Sequence, residues 1–181
     1  MNSNGYTEKD RQFMSLALTR ARQASEAGDY PVGAVLTING TLLDTARNSL
    51  LTDKRWTAHA EHNLISRHSG YLLAMFRSGQ PYDVCLYTTL EPCLMCLGIA
   101  MIHRISRIIV ACPDPHGGTT GIEPERLGIF YREEWPDIQT GLYKEEACEL
   151  VMEFLKTGKF ASWEKMLAAF GEMRRSWEQV I

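Results

Sequence analysis

The apolar positions of the chain change period several times, and each change marks an element. Phe13, Ala17, Ala21 and Ala24 recur at helical spacing behind Thr7, whose partner Asp10 stands three residues on, close to a capping box; Gly28 supplies the stop. The run VGAVLTI is short and apolar, Asn39-Gly40 gives a hairpin turn, and TLLDTA reads as the return strand. Residues 48–57 read as loop, and a helix is expected from near Thr57 or His59 to about His68. DVCLYTT, residues 83–89, reads as a buried strand. Pro92 occupies a position that first helical turns favour, which predicts a helix from Cys93 to about His103. RIIVA, residues 107–111, is another buried strand, and the glycine- and proline-rich stretch 112–124 is a loop. A short helix around 125–131, a strand near 137–142 and an amphipathic helix over 144–156 follow. Beyond them Phe160, Trp163, Leu167, Phe170 and Trp177 mark a helical stripe reaching Val180.

Strands alternating with helices imply an α/β layered domain, and the hairpin makes its sheet mixed. No repeat or long linker divides the chain. One main domain is expected over residues 1–156, with 157–181 a C-terminal helical extension packed on that domain or on a partner subunit.

Length and composition narrow the function classes. A chain of 181 residues fits one domain with a sizeable core. Its formal net charge of -3 weighs against a protein whose main task is gripping nucleic acid, which runs on surplus Lys and Arg, although a local basic patch is compatible with it. No apolar run of about 18 residues predicts a membrane span. The first residues, MNSNGYTEKDRQF, do not read as a secretory signal, so a cytoplasmic protein is expected, where disulfides are rare. The five cysteines are therefore thiols or metal ligands, and Cys85, Cys112 and Cys148, in apolar surroundings, read as small buried hydrophobes.

Cys93 and Cys96, in LEPCLMC, need another account. A redox pair usually sits early in its domain, after the first strand, and this pair lies after three predicted strands. A structural zinc site needs a second CxxC or an HxxxH, and neither is present. TAHAEHNLI is present, placing His59 and Glu61 two apart at a predicted helix start. An H-x-E followed by P-C-x-x-C is the signature of zinc deaminases. A catalytic zinc takes three protein ligands and keeps one position open for water, and His59, Cys93 and Cys96 supply three. Cysteines at i and i+3 of a helix start converge, and the helix dipole favours their thiolates. Glu61 is then the carboxylate beside the water, able to take and return its proton. His62 and His68 read as exposed helix residues rather than ligands.

These motifs resemble the cytidine deaminase superfamily, in the branch of tRNA adenosine, guanine and yeast-type cytosine deaminases. PVGAVLTINGTLL, ARNSLLTDKRWTAHAE, LYTTLEPCLMCLGIAMIHRI and EEACELVMEFL carry the resemblance, over roughly residues 7–156. It implies a three-layer α/β/α fold around a five-stranded mixed sheet, one Zn2+ per chain with a catalytic water, and a homodimer. It assigns Asn48 to the substrate base, beside a turn role, and places backbone near Ala34 and Ala60 at the pocket. It sets Asp114 in a loop where relatives carry substrate-facing residues, beside a loop-capping role, and matches His103 to a histidine of the tRNA-acting members, beside a packed helix role. The implied reaction is hydrolytic deamination of an amino-substituted heterocycle, with zinc-activated water as nucleophile and Glu61 as proton shuttle. Asn63 is similar to deoxycytidylate deaminases, and the loop ACPDPHGGTTG departs from the tRNA enzymes. The acidic balance favours a free base or nucleoside as substrate. Adenosine in a tRNA loop is the alternative, with Arg104, Arg107, Arg174 and Arg175 as candidate contacts; deoxycytidylate is another. The reading from a different class is a catalytically silent zinc-binding partner subunit.

Overall fold

Alternation along the strands divides the core in two. The computed structural model describes residues 5–119, 121–158 and 160–178. Strands β1 (Gly33–Ile38), β2 (Thr41–Arg47), β3 (Val84–Leu90), β4 (Arg107–Cys112) and β5 (Asp137–Thr140) form one sheet in the order β2-β1-β3-β4-β5. β1 runs antiparallel to β2 and β3, while β3–β4 and β4–β5 are parallel. Successive side chains leave a strand on opposite faces. Val35, Tyr87, Ile109 and Ala111 thus join one core, while Ala34, Leu36, Leu86, Ile108 and Val110 join the other.

Helices α1 (Glu8–Glu26) and α5 (Lys144–Leu155) cover the first face; α2 (Ala60–Ser78) and α3 (Leu94–Ile102) cover the second. This is the expected three-layer α/β/α arrangement around a mixed five-stranded sheet. The predicted capping box is formed: Thr7 accepts from the Asp10 backbone at 3.1 Å, and Asp10 accepts from the Thr7 backbone at 2.8 Å. α1 lies so close to the sheet that a Cβ on Gly33 would sit 2.0 Å from the Ala17 carbonyl oxygen, so only glycine fits.

Two elements differ from the sequence reading. α2 runs ten residues past His68 and ends where Gly79 takes a left-handed φ of 67°. Leu72 continues its buried stripe, and Gly70 inside it meets nothing that would stop a helix. The expected helix around 125–131 splits into a 3-10 turn at Pro124–Arg126 and a short α4 at Ile129–Glu133. The C-terminal stripe forms α6 (Ser162–Glu178); Val180 lies outside the described residues. Trp163 and Phe170 are fully buried in the first core. The Trp163 indole stacks 4.8 Å from Phe154 and donates to the Tyr30 hydroxyl at 2.6 Å.

Candidate metal centre and active site

Two helix starts meet at the end of the sheet. His59 is the N-cap of α2 and Cys93 the N-cap of α3, both with extended backbone and neither bonding its own helix through its side chain. N-caps ordinarily satisfy the free N–H groups of the first turn. Here the cap side chains turn to each other instead. His59 Nδ1 lies 3.6 Å from Cys93 Sγ and 3.6 Å from Cys96 Sγ. Among the described residues this trio is the one cluster of His, Cys, Asp or Glu whose ligand atoms gather within 4.8 Å.

The spacing fits zinc. Bonds of ~2.3 Å to sulfur and ~2.0–2.1 Å to nitrogen at a tetrahedral angle place N and S about 3.6 Å apart. One imidazole and two thiolates are also a donor set that zinc takes in catalytic sites.

The electrostatics show two thiols competing for one proton. The hydrogen bond from Cys96, reinforced by His59, brings the Cys93 thiol down to about 4. Cys96 is held up, first by donating to Cys93 and then by burial. His59 is raised by its hydrogen bond with Cys93. Glu61 stands in the first turn of α2, buried, its Oε2 accepting from Cys96 at 3.7 Å and its Oε1 from the Thr88 hydroxyl at 3.2 Å. Burial pushes its carboxyl above the ordinary carboxylate range.

A cavity of about 250 Å³ opens at this centre, lined by His59, Glu61 and Cys93 and, around them, by Val32, Asn48, Leu90 and Asp114. Tyr30, Trp56, Glu91 and Met166 of α6 also line it, and sequence pattern did not mark them. Asn48 is buried, and its Oδ1 accepts from the Leu50 backbone at 3.0 Å, the turn role; its Nδ2 has no partner among the described residues. Asp114 Oδ1 accepts from the His116 and Gly117 backbones, the loop-capping role, while the residue still borders the cavity. Ala34 and Ala60 are fully buried and are not brought to the cavity wall.

The other histidines stay out of the centre. His62 and His68 are half-buried rather than exposed, and His68 bonds Asp44 at 2.8 Å. His103 is a packed helix-end residue, bonding Ile99 at 2.8 Å and Ser69 at 2.7 Å. Cys85, Cys112 and Cys148 are buried as expected, and burial pushes the Cys85 thiol up to about 12. Arg104 and Arg107 are tied to Glu134 and Asp10 rather than to the cavity.

The buried carboxylate adds most. Glu91 lies one residue before Pro92 and accepts from the Asp114 backbone at 2.9 Å and the Thr119 backbone at 2.6 Å. It packs so tightly that a Cβ on Gly118 would come 2.4 Å from its carboxyl carbon. Glu91 therefore fixes loop 113–119 over the cavity. Its position in LEPC was the available signal, since a charged residue inside an apolar segment needs buried partners.

Fold and centre together define a zinc-dependent hydrolytic deaminase. Residues 7–112 match the family model of the cytidine and deoxycytidylate deaminase zinc-binding region, and the chain belongs to that family. The tRNA-specific adenosine deaminase of Bacillus subtilis (strain 168) is 32% identical over 148 residues, 82% of this chain and 89% of that protein. A solved tRNA:A34 deaminase, described in terms of A-to-I editing at the wobble position of transfer RNA, is 33% identical with a TM-score of 0.58, covering 77% of this chain and 98% of that one. A solved guanine deaminase from Nitrosomonas europaea has a TM-score of 0.66 at 24% identity, covering 80% of this chain and 83% of that one, a likeness of fold alone. No helix among the described residues is long and apolar enough to cross a membrane.

Proposed function

We propose that this deaminase acts on adenosine in a tRNA loop, converting it to inosine and releasing ammonia. The supporting observation is the similarity to tRNA-specific adenosine deaminases across most of both chains. It outweighs the acidic net charge, which favoured a free base or nucleoside: charge describes the whole surface, whereas similarity covers the site. The cavity agrees. At about 250 Å³ it falls below the usual range of ligand pockets, ~300–1,000 Å³, and suits one extruded base.

In this reading His59 Nδ1, Cys93 Sγ and Cys96 Sγ hold the zinc. The bound metal supplies a Lewis acid that activates water at neutral pH. Glu61 accepts the proton that the attacking water gives up and delivers it to the ring nitrogen. It then carries the water's second proton to the amino group, which leaves as ammonia. Thr88 holds the Glu61 carboxylate in line by donating to Oε1. Asn48 Nδ2 would donate to the base, and Asp114, whose backbone donates to Glu91, would border it, since both residues line the cavity. The domain expected over residues 1–156 carries this chemistry in this reading, and Met166 of α6 adds to the cavity wall.

A homodimer accompanies this reading. Leu73 and Phe76 on α2, Ile102 at the end of α3, and Ile129 on α4 are exposed apolar side chains, and Arg104 bridges α2 and α4 over the rings of Phe76 and Phe130. Such a patch supports an interface between two copies.

One observation favours a second substrate, a free purine base. Met166 of α6 lines the cavity and adds an apolar contact that suits a small planar base. Incubating the zinc-loaded protein with a tRNA transcript, and separately with free bases and nucleosides, distinguishes the two. Inosine in the tRNA supports the proposal. Ammonia from a free base with no inosine in the tRNA contradicts it.

A further inference from the structure

Loop 49–58 links β2 to the metal-side helix, and almost everything in it is pinned. Asn48 Oδ1 accepts from Leu50, the Ser49 hydroxyl donates to Asp53 at 2.8 Å, and the Arg55 backbone donates to Leu50 at 3.1 Å. The Ala58 backbone closes back on Arg55 at 3.0 Å. Asn63 fastens the loop from the helix side, donating to Ser49 Oγ at 3.0 Å and accepting from Arg55 Nη2 at 3.0 Å. Buried Asp29 holds it from the other side, through the backbones of Leu51 and Thr52. Yet Trp56, on this fixed backbone, leaves 86% of its surface in water while lining the mouth of the catalytic cavity.

Trp56 is by far the most exposed of the large hydrophobic residues. A rigid, solvated indole at the edge of a pocket is the stacking platform that single-stranded nucleic-acid binders use, because every base has a π-face. Charge supports a nucleotide occupant. Lys54 and Arg55 immediately precede the ring; Lys54 has no partner among the described residues, and Arg55, which donates to Asn63 and meets Asp53 at 3.7 Å, keeps more than half of its side chain exposed. Two cations adjoining the ring suit a phosphate beside a base on the indole.

We propose that Trp56 stacks the nucleobase next to the target in a single-stranded RNA loop, with Lys54 and Arg55 taking the adjoining phosphate, so that the loop is read beyond the deaminated base. This rests on the proposed RNA substrate and adds a binding position outside the reacting cavity.

The test uses zinc-loaded full-length protein and a stem-loop RNA with a single loop adenosine, scored by inosine formation. Trp56→Ala should raise KM for the RNA about tenfold, within the range a lost base–aromatic stack costs, with a much smaller change in kcat. Trp56→Phe should recover most of the affinity. Making the neighbouring nucleotide abasic should weaken wild type to a similar degree and weaken Trp56→Ala little further, as coupled partners do in a double-mutant cycle. An unchanged KM in Trp56→Ala, or an equal loss on normal and abasic RNA, overturns the inference while leaving the substrate reading intact. A shift of Trp56→Ala from dimer to monomer also overturns it, since the ring would then be covered by a second copy. If wild type deaminates free bases and never the RNA, both the substrate reading and this inference fall.

Discussion

At the scale of single residues, the site divides into groups whose spacing is written in the sequence and groups whose roles come from distant contacts. His59, Glu61, Cys93 and Cys96 were legible because a three-ligand metal centre needs fixed residue types near two helix starts. Their helices deliver them without help from the intervening chain. Thr88 and Met166 were not legible, and Glu91 showed only as a charge inside an apolar segment. Each is defined by a partner at least 23 residues away or by a cavity wall, and nothing local distinguishes Thr88 from Thr89 in a buried strand. Two predictions belong here. Glu61→Gln should keep one zinc by elemental analysis and lose roughly 10²–10⁴ in kcat, because the amide cannot carry the proton. Thr88→Val should keep the fold and lower kcat without raising KM, since Thr88 donates to Glu61 Oε1 and does not line the cavity. A Thr88→Val enzyme with wild-type kcat would remove that positioning role.

At the scale of elements, the strands and helices followed their patterns because period and turn chemistry agreed. α2 was read short because its second half is solvated, with Leu73 and Phe76 outward, so the apolar stripe no longer distinguished inside from outside. The loop between β2 and α2 had a hidden anchor in Asp29. Burial raises its carboxyl, but the Thr52 side chain and backbone, the Leu51 backbone and Arg47 together pull it below the ordinary 3.8. Its folded value is thus the lower one, so its stabilisation is complete above the unfolded value and is lost as pH falls through the folded value. Urea unfolding should show stability declining below about pH 4, and Asp29→Asn should flatten that decline at a cost on the order of 2 kcal/mol at pH 7. α6 also belongs to this scale. Trp163→Ala should cost about 3–5 kcal/mol through the cavity it leaves, and should raise KM by loosening Met166. Chemical denaturation and steady-state kinetics on one sample check both effects.

At the scale of the whole molecule, net charge pointed toward small substrates, while the proposed tRNA substrate rests on similarity over most of both chains. A charge of -3 is an average, and it does not describe the rim around one cavity. The exposed apolar residues of α2, α3 and α4 are a feature of the assembled fold, contributed by elements far apart in the chain, so no stretch of sequence shows them as one surface. Phe76→Glu should convert a dimer to a monomer by light scattering; a protein already monomeric before substitution would contradict the proposed interface.

Zinc K-edge absorption on the purified protein tests the centre itself. The account predicts one zinc per chain with two sulfurs at ~2.3 Å, one imidazole nitrogen at ~2.0–2.1 Å and one light-atom neighbour at the remaining corner. A third sulfur, a second imidazole or a shell of oxygens alone would contradict it.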